Sequence, residues 1–231
     1  SNFIFFCLSI FLLGLLSGFS QLYRFAAAEV ASTELRAKAV SWVMLGGIIA
    51  GFIGPTIAVK AKDLIADAPF AGSYLVVIIL HVVIVAILFM IRLPQPTVEE
   101  QTGESRPWRE IFSQPKFIVA VLTSMIGYGV MAMIMTATPL AMTVGSGHHF
   151  SDAAFVIQWH VVGMFAPSFF TGSLIHRFGA VPVIISGILL NLLCIGINFA
   201  GTDVLNYWVA LILLGMGWNF MFVAGTTMVT E

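Results

Sequence analysis

The stretch RLPQPTVEEQTGESRPWREIFSQPK, residues 92–116, decides the fold because it is the one long polar interval in the chain. It gathers eight charged side chains into 25 residues, whereas three strongly apolar runs precede it and four follow it. Such an interval separates two groups of hydrophobic helices and fixes which side of a membrane their ends face. Pro94, Pro96, Gly103 and Pro107 break helix inside it. The following Trp108-Arg109-Glu110-Ile111-Phe112 predicts one or two helical turns at the interface, with Trp108 at headgroup depth.

Composition agrees with a bilayer as solvent. A soluble domain carries about a quarter charged residues. This chain of 231 residues has 9% charged and 59% hydrophobic residues, too little polar surface to solvate a globule. The net charge of -1 says little about partners, because membrane proteins place charge by side and not by sum. No basic patch suited to nucleic acid occurs. Cys7 and Cys194 lie far apart in apolar runs without a CxxC partner, which suits packing residues. The opening apolar stretch lacks the charged leader and small-residue cleavage site of a signal peptide, and reads as a mature spanning helix.

A helix crossing the hydrocarbon core needs about 20 apolar residues, since only a helix or closed barrel satisfies its backbone there. Seven segments qualify, at residues 3–23, 40–59, 73–91, 117–141, 153–174, 181–200 and 205–228. Alternating their direction puts Arg24, Arg36, Lys38, Arg92, Arg106, Arg109, Lys116 and Arg177 on one face, against Lys60 and Lys62 on the other. The positive-inside rule then makes the central interval cytoplasmic and residue 1 external.

Two local patterns stand out. Small residues at Gly46, Ala50, Gly54 and Ala58 recur every fourth position, a bare stripe against which another helix can lie closely. Pro55 removes a backbone donor and should bend that span in its outer half. Ser151 or Asp152 is placed to cap the fifth span.

These observations converge on a resemblance. Gly172-Ser173-Leu174-Ile175-His176-Arg177-Phe178-Gly179 resembles the GxLxDRxG loop that the major facilitator superfamily carries between its eighth and ninth helices. The small-residue helix ending Gly54-Pro55 is similar to that superfamily's fifth helix, and residues 92–116 to the loop joining its two six-helix halves. The resemblance implies an all-α polytopic membrane protein, a partial major-facilitator fold with seven transmembrane helices corresponding to helices four to ten of twelve. Residues 1–91 would end the N-terminal half, 92–116 form the inter-half loop, and 117–231 begin the C-terminal half. The two halves are related by an axis along the membrane normal; the first and last spans accordingly share Leu-Leu-Gly, at 12–14 and 213–215. His176 stands where the family usually has an acidic residue and Ala180 where it often has a basic one.

The resemblance also implies that spans one, four and seven wall a central cavity. Gln21 and Arg24 then sit at the inner end of span one, where Arg24 either neutralises an anionic solute at the cytoplasmic mouth or snorkels to headgroups. Tyr128, between Gly127 and Gly129, either offers a hydroxyl to the cavity or is an ordinary span residue. Gln158 and His160 lie in the outer half of span five, as gate or proton site or as partners of a neighbouring helix. Trp218 and Asn219, with Thr226 two turns further in, form an aromatic plate beside an amide that suits a planar or ring-bearing solute; Trp218 lies too deep for the interfacial aromatic belt. Asn191 and Asn198 are expected to bond between helices. Gly54 and Pro55 would act as hinge, and Gly172, Arg177 and Gly179 as a cytoplasmic latch, with Arg177 held by a helix carboxyl end or an acid.

The expected function is secondary transport of a small organic solute by rocking of two halves, in the bacterial inner membrane, as a monomer, with a coupling ion as an open possibility and with no cofactor or metal. A seven-helix receptor is the alternative. It fits by span count, but no lysine lies in the last span for a retinal linkage, and the long inner loop falls between spans three and four. An intramembrane enzyme lacks its motifs: no HExxH, GxSG or paired aspartates occur in the spans.

Overall fold

The computed structural model describes residues 3–20, 22–23, 26, 36–68, 70–91 and 107–230, and of residues 36–41 and 229–230 the backbone alone. Among them the elements are helical: α1 (Phe3–Ser20), α2 (Arg36–Ala61), α3 (Ala71–Met90), α4 (Trp108–Phe112), α5 (Pro115–Leu140), a π-helical turn (Ala141–Gly145), α6 (Phe150–Phe165), α7 (Ser168–Phe178), α8 (Ala180–Ala200) and α9 (Val204–Thr230). Seven membrane-length apolar segments result, α6 and α7 together making one of them. Each expected span is present. The short helix expected near the end of the polar interval is α4, with Trp108 and Phe112 stacked 6.0 Å apart.

The chain divides into two compact units, residues 1–46 and 47–231. In the first, α1 has no buried residue, and Phe3, Phe5, Phe11 and Phe19 all stand exposed. Cys7 is exposed as well, whereas Cys194 is buried.

The second unit is organised around α9. It is the most enclosed span, and it packs against α5, α6, α7 and α8. In lipid no hydrophobic force draws apolar helices together, so close approach depends on small residues and on interhelical hydrogen bonds. Helix α9 has both. A Cβ on Gly215 would sit 2.5 Å from the His160 carbonyl oxygen, and one on Gly217 would meet the Gly187 carbonyl at 2.7 Å, so α6 and α8 are drawn against its backbone.

The close-packing row of α2 differs from the expected one. Gly46 and Gly54 face open space, while Gly47 lies under the Phe165 ring and Gly51 under Val161. Four-residue spacing runs along two adjacent rows of this helix, and the partner's side chains choose between them. Helix α2 stays helical through Pro55.

Span five departs most from expectation. It is interrupted between Phe165 and Ser168, because Pro167 has no N–H to give to the Gly163 carbonyl. Its N-cap is His149, not Ser151 or Asp152; the Asp152 carboxylate instead accepts the His149 N–H at 3.1 Å. The reverse turn between α7 and α8 is made at Gly179, whose φ of +87° favours glycine.

Candidate functional site

The expected cavity residues fall into three groups. Gln21 and Arg24 lie outside the described residues. Tyr128, Trp218 and, unanticipated, Phe165 and Phe222 form one aromatic cluster on α5, α6 and α9. Gln158, His160, Asn219 and Thr226 make defined hydrogen bonds to the protein itself.

The cluster is centred on Trp218, near the middle of α9. One turn on, Phe222 stacks with it at 4.8 Å between centroids and 14° between planes. Tyr128 and Phe165 meet its ring edge-on, each at 6.3 Å. Edge-to-face and offset stacking are the arrangements favoured by ring quadrupoles, so this box is held rigidly. Trp218 itself is only 1% exposed, and its indole Nε1 is buried without a partner. Tyr128, by contrast, is 37% exposed. Tyr128 is therefore the exposed member of this pair, and Trp218 lies enclosed at its edge.

Asn219 is fully committed. Its amide nitrogen donates to the Met164 carbonyl at 2.7 Å and to Ser168 Oγ at 2.6 Å, while its oxygen lies 2.7 Å from Thr171 Oγ. Thr171 Oγ is also 2.8 Å from the Pro167 carbonyl, and shares its single proton between the two acceptors. One side chain of α9 thus grips both sides of the break in span five. Thr226 Oγ donates to the Phe222 carbonyl one turn back, at 2.7 Å.

His160 is buried. Its Nδ1 lies 2.8 Å from the Leu211 carbonyl; an acceptor there requires the proton on Nδ1, leaving Nε2 as a bare nitrogen without a partner. Gln158 bridges in the other direction, donating to the Phe52 carbonyl at 3.0 Å and to Thr56 Oγ at 2.8 Å on α2. Beside it Trp159 meets Phe52 edge-on at 6.1 Å. A helix before the polar interval and one after it are thereby joined by a polar clasp inside an aromatic setting.

Of the remaining expectations, Asn191 donates across to Met221 Sδ on α9 at 3.5 Å, but Asn198 turns back to its own helix, to the Cys194 carbonyl at 3.0 Å. Arg177 has no acidic partner among the described residues; its guanidinium sits 5.1 Å over the Phe178 ring. Gly54 and Gly172 both face open space. No group of His, Cys, Asp and Glu suited to a metal occurs among the described residues.

A sequence model described as Major Facilitator Superfamily matches residues 1–231. Among curated proteins, the chain is 44% identical to a riboflavin transporter, RfnT, of Brucella anthropi, over all of this chain and 58% of that protein. It is 29% and 26% identical to two uncharacterised MFS-type transporters of Bacillus subtilis, YdeG and YddS, each over 90% of this chain and 52% and 51% of theirs. The chain thus spans about half the length of the curated relatives it matches. No solved structure matches it. These similarities point to transporters and away from enzymes and receptors.

Proposed function

The chain belongs to the major facilitator superfamily, and from that premise we propose that the complete protein is a secondary transporter of a planar heteroaromatic solute of the flavin class. The observation that carries this reading is the aromatic cluster: a stacked Trp218–Phe222 pair with the exposed Tyr128 packed edge-on against Trp218. A flat conjugated ring gains most from aromatic faces held in place beforehand, because no side-chain freedom is lost on binding. The 44% identical riboflavin transporter of Brucella anthropi supports the same solute class.

In this reading residues 1–91 and 117–231 belong to two halves that alternate access around the site, and residues 92–116 link them in the cytoplasm, residue 1 being external. The Gln158 clasp to Phe52 and Thr56 holds the halves together in one state. Gly54 and Pro55 serve as hinge. Gly172, Arg177 and Gly179 form the inner latch, while Gln21 and Arg24 stand at the inner mouth. The protein acts as a monomer in the inner membrane.

Riboflavin uptake by cells that cannot make the vitamin tests the proposal. Expression of the full-length protein should restore growth on low riboflavin, and Tyr128→Ala should raise the half-saturating concentration about tenfold without changing the amount in the membrane. Absence of uptake by a correctly inserted protein would refute the solute assignment. For the sidedness, a single cysteine replacing Glu104 should resist membrane-impermeant maleimide applied to intact cells; its labelling would invert the topology.

A further inference from the structure

Away from the aromatic cluster, a groove of about 320 Å³ opens between α7, α8 and α9. Leu174, Phe178, Pro182, Val183, Ser186 and Phe220 line it. None is ionisable, and the single hydroxyl among them, on Ser186, already donates to the Pro182 carbonyl at 2.9 Å. The groove begins at the turn where α7 hands over to α8 and follows α8 as far as Ser186. The seven residues of α8 from Ala180 to Ser186 correspond to a depth of about 10 Å.

Its size reaches the lower end of small-molecule sites. Its chemistry excludes most occupants of such sites, because its side chains offer no free donor and a single acceptor, Ser186 Oγ, to orient a polar ligand. Water does not settle it either, since an apolar space lacks the polar partners an ordered water needs. In a spanning segment the surrounding solvent is acyl chain, and an apolar groove open to that solvent takes up methylenes.

The shallow end adds selectivity. Phe178, a wall of the groove, carries the Arg177 guanidinium 5.1 Å above its ring. Arg177 is exposed, and no acid pairs with it among the described residues. His176, also exposed, lies beside it. Guanidinium presents a planar fork of donors that matches phosphate oxygens, and over an aromatic face it is oriented in advance. A cation at the end of a span, with no acidic partner among the described residues and above a greasy slot, is complementary to one kind of molecule. We infer that this groove binds one anionic glycerophospholipid, with an acyl chain between α7, α8 and α9 and the headgroup phosphate on Arg177. The site lies on the turn assigned above to the inner latch, so occupancy would bias the opening of that latch.

Native mass spectrometry of the full-length protein, released from nanodiscs of phosphatidylglycerol or of phosphatidylcholine, reads the site without reference to transport. One phosphatidylglycerol should survive delipidation on the wild type, and no phosphatidylcholine. Arg177→Gln should reduce that retention about tenfold, and Arg177→Lys should keep most of it, the charge being preserved. Ser186→Phe, at an exposed position that leaves the helix packing intact, should abolish retention by filling the slot from the lipid side. Equal retention of the two lipids, or retention indifferent to both Arg177→Gln and Ser186→Phe, would overturn the assignment. So would a dimer mass abolished by Ser186→Phe, which would give the groove to a second copy.

Discussion

The amide nitrogen of Asn219 lies 2.7 Å from the carbonyl oxygen of Met164, three residues before the proline that breaks span five. Because the same amide also holds Ser168 and Thr171, the break is fastened to α9 from both sides. Interhelical hydrogen bonds in membranes are worth about 0.6 kcal/mol on average and at most about 1.7. Asn219→Leu, which removes three at a fully buried position, should therefore cost about 2 kcal/mol. Thermal unfolding of the full-length protein in detergent checks this. An unchanged melting temperature would mean that the clasp is ornamental.

Glycine contacts make a sharper pair of predictions. A methyl group on Gly215 would lie 2.5 Å from the His160 carbonyl and 2.8 Å from the Met164 nitrogen, both of them backbone atoms that cannot turn aside. Gly215→Ala must push α6 and α9 apart. Overpacking of this kind costs about 1–3 kcal/mol. Gly54→Ala, at a position with nothing within 4 Å, should leave stability unchanged or improve it slightly, since alanine is the better helix former. The two variants compared by thermal melting should differ in sign or by several degrees; equal losses would contradict the packing.

How much of this was legible in the sequence follows from which features are local. Seven spans, the short helix at Trp108 and the turn at Gly179 depend on apolar length and on proline and glycine in a row, and the sequence carries them directly. Pro167 is equally visible in the sequence, but the run around it stays apolar over a full span and reads as one continuous helix. Burial is not local. Trp218 was identified as deep, yet nothing in its neighbours along the chain says that Tyr128, Phe165 and Phe222 enclose it. Asn219 beside it looked free to meet a solute because its partners lie about 50 residues away, on another span. The same holds for α2, where two glycine rows were available and Phe165 and Val161 select Gly47 and Gly51.

Gln158 joins α6 to α2 through two acceptors, Phe52 O and Thr56 Oγ, and Thr56 Oγ is itself 2.8 Å from that same carbonyl. The three atoms form a closed set. If this clasp holds one state of the transport cycle, Gln158→Leu should alter turnover at least threefold while costing under about 1.5 kcal/mol of stability. Thr56→Val should give a smaller effect in the same direction, and the double variant should resemble Gln158→Leu alone. Initial rates of solute uptake at saturating concentration supply the readout, and fully additive effects would show that the two residues act separately.

The proline and the asparagine should be coupled as well. In an unbroken helix the Met164 carbonyl would receive the N–H of Ser168, four residues on, and would have no need of a side chain from α9. Pro167→Ala restores a donor at position 167 for the Gly163 carbonyl and removes the clash that a proline ring makes with the preceding turn. Span five can then close into one helix, which satisfies Met164 internally and carries Ser168 and Thr171 out of reach of Asn219. Losing Asn219 should consequently matter less once Pro167 is gone. Asn219→Leu, expected to cost about 2 kcal/mol in the natural background, should cost roughly half as much in Pro167→Ala, a coupling of about 1 kcal/mol. Unfolding midpoints of the four proteins complete the cycle. Strict additivity would separate the break from its clasp, and a larger loss in Pro167→Ala would mean that Asn219 stabilises the continuous helix and not the broken one.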